Sequence, residues 1–316
     1  MQSTTTLDAW DEAGIAALVR AGESKNWFFG HFGAALIAGT RLLRDPELPG
    51  PAAMALSAKL SDLVAENRDW FAPLSNAALS TPFELASVGA HRNREALVVV
   101  LRRDAGTLRT SGHATIYLSA ALDVLARHPG WSSDRVVDGL ISLHAAGQED
   151  DPARYYGTPD YFDGETRAIS SDEGRGGDSI EAFRIGIASL DHQLPDREIE
   201  GRRHFLTGEK LHLLTHAHAI ATFERLGLGD VAERAMRAQE RLAGLVEPSR
   251  GLEAAEVAAA GATPFDAHFW EQSVPDVFHV IKVAEAVVAQ VPRLPEGERG
   301  VALERIARLW TLLGIR

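Results

Sequence analysis

The chain contains no cysteine. Disulfides, thiolate metal sites and cysteine nucleophiles are therefore excluded outright. Nor does it hold an uninterrupted apolar run near the roughly 20 residues that a membrane-spanning helix needs. Basic charge is scarce: 32 Lys and Arg stand against 44 Asp and Glu, a formal net charge of −12. That balance argues against nucleic acid, whose binders carry a basic footprint. It argues equally against a polybasic membrane contact. No GxSxG elbow, no DDxxD-type helical metal cluster and no phosphate loop is found; GRGGDS at 174–179 has the glycines but no strand before it. The N-terminus, MQSTTTLDAWDEAG, lacks the basic and apolar regions of a signal peptide. A soluble, cytoplasmic protein is expected, with a small molecule rather than nucleic acid or membrane as its partner.

What is present favours helices. The chain has 316 residues, 45% of them apolar, which is enough for a sizeable core. Alanine, leucine, arginine and glutamate dominate, and these are helix formers. Apolar stripes at spacing three and four recur over 34–43, 117–125 and 283–288. Strand signals are weak; ALVVVLRR at 96–103 suits a helix as well as a strand. Proline and glycine cluster in DPELPGP (45–51), HPG (128–130) and PRLPEGERG (292–300), which read as turns between helix pairs. The expectation is one all-α domain over 1–316, a bundle of helix pairs or an incomplete α/α toroid. The polar, Gly- and Asp-rich stretch 147–203 breaks the pattern and is expected to be a lid or insertion. A second loop is expected over 247–275.

Four segments share a loose plan. They read GHFGAALIAGTRLLRDP from Gly30, GHATIYLSAALDVLARHP from Gly112, LHLLTHAHAIATFERLG from Leu211 and FHVIKVAEAVVAQVP from Phe278. Each places a histidine ahead of an apolar helical run: His31, His113, His212 and His279. His212 matches the others in its distance from the following turn, whereas His216 falls about one turn out of register. His216 shares the face of His212 and is the candidate neighbour, alternate ligand or catalytic base. Histidines in matching register can converge at one end of a bundle. Imidazoles without carboxylates would suit a transition metal rather than magnesium or calcium. Lys282 lies three residues after His279 on the same face, where a cation would repel a metal. It is either a carbamylated ligand or a snorkelling lysine.

These residues resemble the questin oxidase-like proteins, whose helix starts look like HPLIHLGYALE, FHGLIRTAHAV, LMHLVTSA and HxxKxxxA. The matching stretches here are GHFGAALIAG (His31), GHATIYLSAAL (His113), LHLLTHAHA (His212) and HVIKVAEA (His279, Lys282), spread over about 25–290. The chain is short for the fungal members, and His31 has no second histidine four residues on. The resemblance implies an all-helical oxygenase that opens an anthraquinone-like or polycyclic phenolic ring by C–C cleavage or Baeyer–Villiger-type oxidation. It implies a mononuclear Fe(II) held by His31, His113, His212 and His279 with a carboxylated Lys282. O2 would be the co-substrate and NADPH an optional one, for which the sequence shows no site.

Around these residues, Trp27, Phe28, Phe32, Phe269 and Trp270 could line an aromatic pocket, and Tyr155, Tyr156 and Tyr161 could close over it. Asp191–His192 reads as surface rather than as a base dyad. The competing reading is a non-catalytic helical-repeat ligand-binding protein with structural histidines. In that case His→Ala changes would alter stability but no activity. A hydrolase with a lysine-bridged metal pair is disfavoured by the helical pattern.

Overall fold

The computed structural model describes residues 4–74, 83–149, 155–158 and 176–316. Among these residues lie thirteen α-helices: α1 (Thr4–Glu23), α2 (Gly30–Arg44), α3 (Gly50–Glu66), α4 (Arg68–Phe71), α5 (Phe83–Asp104), α6 (His113–Arg127), α7 (Asp134–Glu149), α8 (Ser179–Ser189), α9 (Leu206–Arg225), α10 (Gly229–Val246), α11 (Ala267–Glu271), α12 (Val277–Gln290) and α13 (Glu296–Leu312). The only strands among them are β1 (Arg197–Ile199) and β2 (Arg202–His204), paired as a short antiparallel hairpin. The chain is all-α, as its composition predicts. No helix among the described residues is long and apolar enough to cross a membrane.

The four histidine-bearing helices form the centre. Helix α2 packs on α6, α6 on α9, α9 on α12, and α12 back on α2, which closes a ring. Their sequences explain the position. Helices α6 and α9 are buried on nearly every face, as expected for α6, which is apolar almost all round. Amphipathic helices cover the ring: α1 and α3 on α2, α7 on α6 and α1, and α8 and α10 on α9. One continuous apolar cluster runs from Ile15 to Ile315 through most of these helices. The arrangement is a bundle built from helix pairs.

A charged layer, buried except for Arg225, crosses the ring about two to four turns below the histidines. Arg41 of α2 donates to Asp123 of α6 and to Glu285 of α12, each at 2.8 Å. Arg225 of α9 donates to the other Asp123 oxygen at 2.6 Å. Burial alone would raise Glu285, but Arg41 and His218 bring it down to about 2. Each helix of the ring thus contributes a charge that is matched within the layer, and a matched layer fixes the register of the four helices. Removing one partner of such a buried pair typically costs about 3–5 kcal/mol.

The 147–203 stretch, expected as a lid or insertion, holds regular structure where it is described. Residues 147–149 finish α7, and 176–203 hold α8 and most of the hairpin. Asp178 caps α8 by accepting from the backbone N–H groups of Ile180 and Glu181, which is the role of the GRGGDS aspartate. Residues 150–154 and 159–175, including Tyr161, lie outside the described residues. ALVVVLRR is helical, inside α5. The stretch 292–300 is only half a turn, because Pro295 caps α13 and EGERG forms its first turns. Residues 247–275 are mostly irregular, with one 3-10 turn and the short α11.

Candidate metal centre

His31, His113 and His279 occupy the second, first and third positions of their helices. His212 differs, standing in the second turn of α9. All four rings nevertheless meet at one end of the ring of helices. The Nε2 atoms of His31 and His113 are 3.0 Å apart, those of His31 and His279 3.2 Å, and those of His279 and His212 3.1 Å. The ligand atoms of His31, His113 and His279 all lie within 4.8 Å of one another. Because each helix brings its N-terminal half to this point, the four helices run the same way.

The other ring nitrogens decide what these contacts are. Nδ1 of His31 lies 2.7 Å from the Phe28 carbonyl oxygen. His113 Nδ1 has the Thr110 carbonyl as its partner, and His279 Nδ1 has the Asp276 carboxylate at 2.6 Å. A carbonyl oxygen only accepts, so Nδ1 of His31 and of His113 carries the proton. Asp276 is ionised: burial alone would raise it, but the hydrogen bond from His279 holds it below the usual range. His279 therefore also donates through Nδ1. Three Nε2 lone pairs then face one another at hydrogen-bond distance with no proton between them. Such an arrangement is repulsive unless a cation is shared. A shared proton is disfavoured, since burial, and after it the charge of Lys282, lowers His31, His113 and His279. A metal ion satisfies the same lone pairs without that penalty. His31, His113 and His279 could thus hold a metal, and the Nε2 of His212 stands beside that of His279.

Local sequence builds this geometry. Gly30 precedes His31, and a Cβ there would lie 2.5 Å from the Tyr117 ring. Its absence lets Tyr117 pack flat on the chain, with its hydroxyl 2.7 Å from His31 Nδ1. Ahead of His113, Thr110, Ser111 and Gly112 all have positive φ (51°, 55° and 78°). Non-glycine residues rarely adopt this conformation, and the strain turns the Thr110 carbonyl back onto His113. Tyr155 braces the turn through a 2.7 Å hydrogen bond between its hydroxyl and Ser111 Oγ. Asp276 caps α12 and accepts from both the backbone and the ring of His279.

Lys282 is 3% exposed, and its Nζ has no hydrogen-bond partner among the described residues. Burial brings it down to about 7. It borders a small cavity of about 20 Å³ that Arg41, Ser119, Thr215, His218 and Glu285 also line. Trp27 and Phe28 wall the cluster, with ring centroids 5.0 Å from His113 and 4.9 Å from His31 respectively. Phe28 is 56% exposed and marks the rim.

The other expected residues fall elsewhere. His216 is fully buried, with Nδ1 3.0 Å from Gln239 Oε1. The Gln239 amide nitrogen donates to two carbonyls, so its oxygen accepts and His216 is protonated on Nδ1. His216 Nε2 is thus a buried lone pair beside Gly112 rather than one of the Nε2 contacts above. Burial lowers it to about 4. His218 faces α12, 3.2 Å from Glu285. Phe32 packs against Phe278. Phe269 and Trp270 do not flank the histidines; they are buried in the core, Phe269 against both Trp270 and Trp310. Tyr155 is a buried brace, and Tyr156 packs on His204. Asp191 pairs with Arg305, away from any base role. Asp276, Tyr117 and the strained turn are the contributors that sequence reasoning missed. Asp276 carried a signal, an Asp at an N-cap three residues before a ligand-type histidine. Comparison with protein-family models, with curated proteins and with solved structures gives no match.

Proposed function

We propose that the protein is a mononuclear non-haem iron oxygenase that opens the ring of an anthraquinone-like or polycyclic phenolic substrate. The observation that carries the metal is the convergence of Nε2 lone pairs whose opposite nitrogens are already donating. His31, His113, His212 and His279 would hold the ion through Nε2, with Lys282 as a carboxylated fifth ligand. The donor set suits iron(II): imidazoles with few anionic groups select a transition metal. When bound, iron(II) supplies the redox chemistry that activates O2 toward a phenolic ring.

The chain's own groups define the rest. Asp276 orients His279 and strengthens it as a donor, as outer-shell carboxylates do. Lys282 is neutral over half the time above about pH 7, and only a neutral amine adds CO2. Carboxylation would turn a buried cation that repels a metal into an anion that binds one. Trp27 and the exposed Phe28 offer flat apolar faces beside the histidines, suited to a planar aromatic substrate. The N-terminal ends of four helices favour an anion at this end of the bundle, such as a phenolate.

The test is elemental analysis of protein purified without chelator or metal-binding tag. About one iron per chain, lost in His113→Ala and Lys282→Ala, supports the centre and sends the search to hydroxyanthraquinones. No bound metal, and no uptake after anaerobic iron(II) addition, removes it in favour of the non-catalytic binding protein.

A further inference from the structure

Three of the four imidazoles find their Nδ1 acceptor three residues back along their own chain. His31 uses the Phe28 carbonyl, His113 the Thr110 carbonyl and His279 the Asp276 carboxylate. This works with carbonyls because His31 and His113 open their helices, where the carbonyl three back is not yet fully committed to the helix. His212 breaks the rule. It lies one turn deeper in α9, where the carbonyl three residues back serves the helix ladder. Its Nδ1 is buried and has no partner among the described residues.

The residue three before His212 is Glu209. It is 6% exposed, and both its carboxyl oxygens are buried without a partner among the described residues. Its neighbours are engaged elsewhere: Lys210 donates to the His192 carbonyl, Asp196 accepts from the Thr207 backbone at 2.9 Å, and the Tyr155 hydroxyl pairs with Ser111. Buried polar atoms in this number rarely go unpaired without a reason. Positions i and i+3 share a helix face, and helical side chains lean toward the N-terminus. His212 and Glu209 therefore stand one turn apart on the same side of α9.

We propose that Glu209 is the positioning residue of His212: when Nε2 of His212 binds a metal ion, its Nδ1–H donates to the Glu209 carboxylate, as His279 donates to Asp276. Two otherwise orphaned groups on one helix face then satisfy each other. ExxH on α9 and DxxH on α12 become the same device, used once in mid-helix and once at a cap. The inference rests on the metal-centre reading.

The test uses the full-length protein with zinc(II) as the probe, in competition with a chromophoric chelator. Wild type, Glu209→Gln and Glu209→Leu are compared, together with metal-free melting curves. Glu209→Leu is expected to bind zinc about 10–100-fold more weakly. Glu209→Gln, which can still accept through its amide oxygen, should fall between. Metal-free Glu209→Leu should melt at or above the wild-type temperature, because an unpaired buried carboxyl has been removed. Long-range 1H–15N spectra of the zinc-loaded wild type should show His212 protonated on Nδ1, with a slowly exchanging N–H that Glu209→Leu loses. Unchanged zinc affinity in both variants overturns the assignment, as does lost metal-free stability with affinity intact. A weakened affinity with the His212 N–H signal unaltered would make Glu209 a direct ligand and also overturn it. Should Glu209→Leu fail to fold, Glu209→Gln carries the same comparisons. Failure of the wild type to take up zinc or iron would instead strike the metal centre itself.

Discussion

Lys282 offers a sharp test, because in the metal-free, uncarboxylated protein it should be a liability. Its amine is buried with no hydrogen-bond partner among the described residues, only the Tyr117 ring 5.9 Å away, and desolvation brings it from 10.5 down to about 7. The unfolded chain therefore holds one more proton than the folded chain between about pH 7 and pH 10.5. Stability contributed by this group must rise with pH across that window, since the unfolded state binds more protons there. At about 1.4 kcal/mol per pH unit, the penalty is on the order of 5 kcal/mol at pH 6, about 3 at pH 8 and about 1 at pH 10. Lys282→Met keeps the length of the side chain and removes the charge. Urea unfolding of both proteins in the presence of a chelator, at several pH values from 6 to 10, gives the difference directly. Other titrating groups largely cancel in that difference. Lys282→Met should be the more stable protein at pH 6, and its advantage should shrink by several kcal/mol by pH 10. An advantage that stays constant with pH would mean that Lys282 is not a desolvated amine. A less stable Lys282→Met at pH 6 would mean that it has a partner and is not available for carboxylation.

The same lysine should reverse its sign once modified: iron loading should rise with pH through about 7 and with added bicarbonate, and Lys282→Met should abolish that response in metal titrations. Asp276→Asn should weaken metal binding about 10–100-fold, by leaving His279 without its charged acceptor. Gly30→Ala should cost about 1–3 kcal/mol in denaturant unfolding, the usual cost of overpacking, because its Cβ would meet the Tyr117 ring at 2.5 Å. It should also lower metal affinity by shifting His31. Asp123→Asn should cost about 3–5 kcal/mol, since it leaves the buried Arg41 paired with Glu285 alone; a cost under 1 kcal/mol would show that solvent reaches the charged layer.

Much of the fold was legible because helix signals are local. Spacing three and four, the turn clusters and the weight of alanine and leucine all act within one helix, so they predict α2, α6, α9 and α12 without knowledge of the tertiary structure. The 147–203 stretch was less legible for the complementary reason. Its polar composition hides α8, whose cap is Asp178 but whose apolar face is only Phe183, Ile187 and their neighbours. The three valines of 96–103 could not be settled by local preference either; packing against neighbouring helices decides that they are helical.

The histidines were legible for a different reason, and only in part. Four helices that start together must present equivalent positions at one level, so a shared register in sequence becomes a shared plane in space. That reasoning holds for His31, His113 and His279, which sit within the first three positions of their helices. It misplaces the start of α9, which runs almost two turns upstream of His212. The misplacement has a chemical consequence. A histidine at a helix start can lean on a backbone carbonyl, and any sequence supplies one, so nothing in the residues around His31 or His113 announces the acceptor. A histidine in mid-helix cannot, and must obtain its acceptor from a side chain, as His216 does from Gln239 of the neighbouring α10. For His212 the proposed acceptor is Glu209, and the departure of His212 from the register is what would give that glutamate its role.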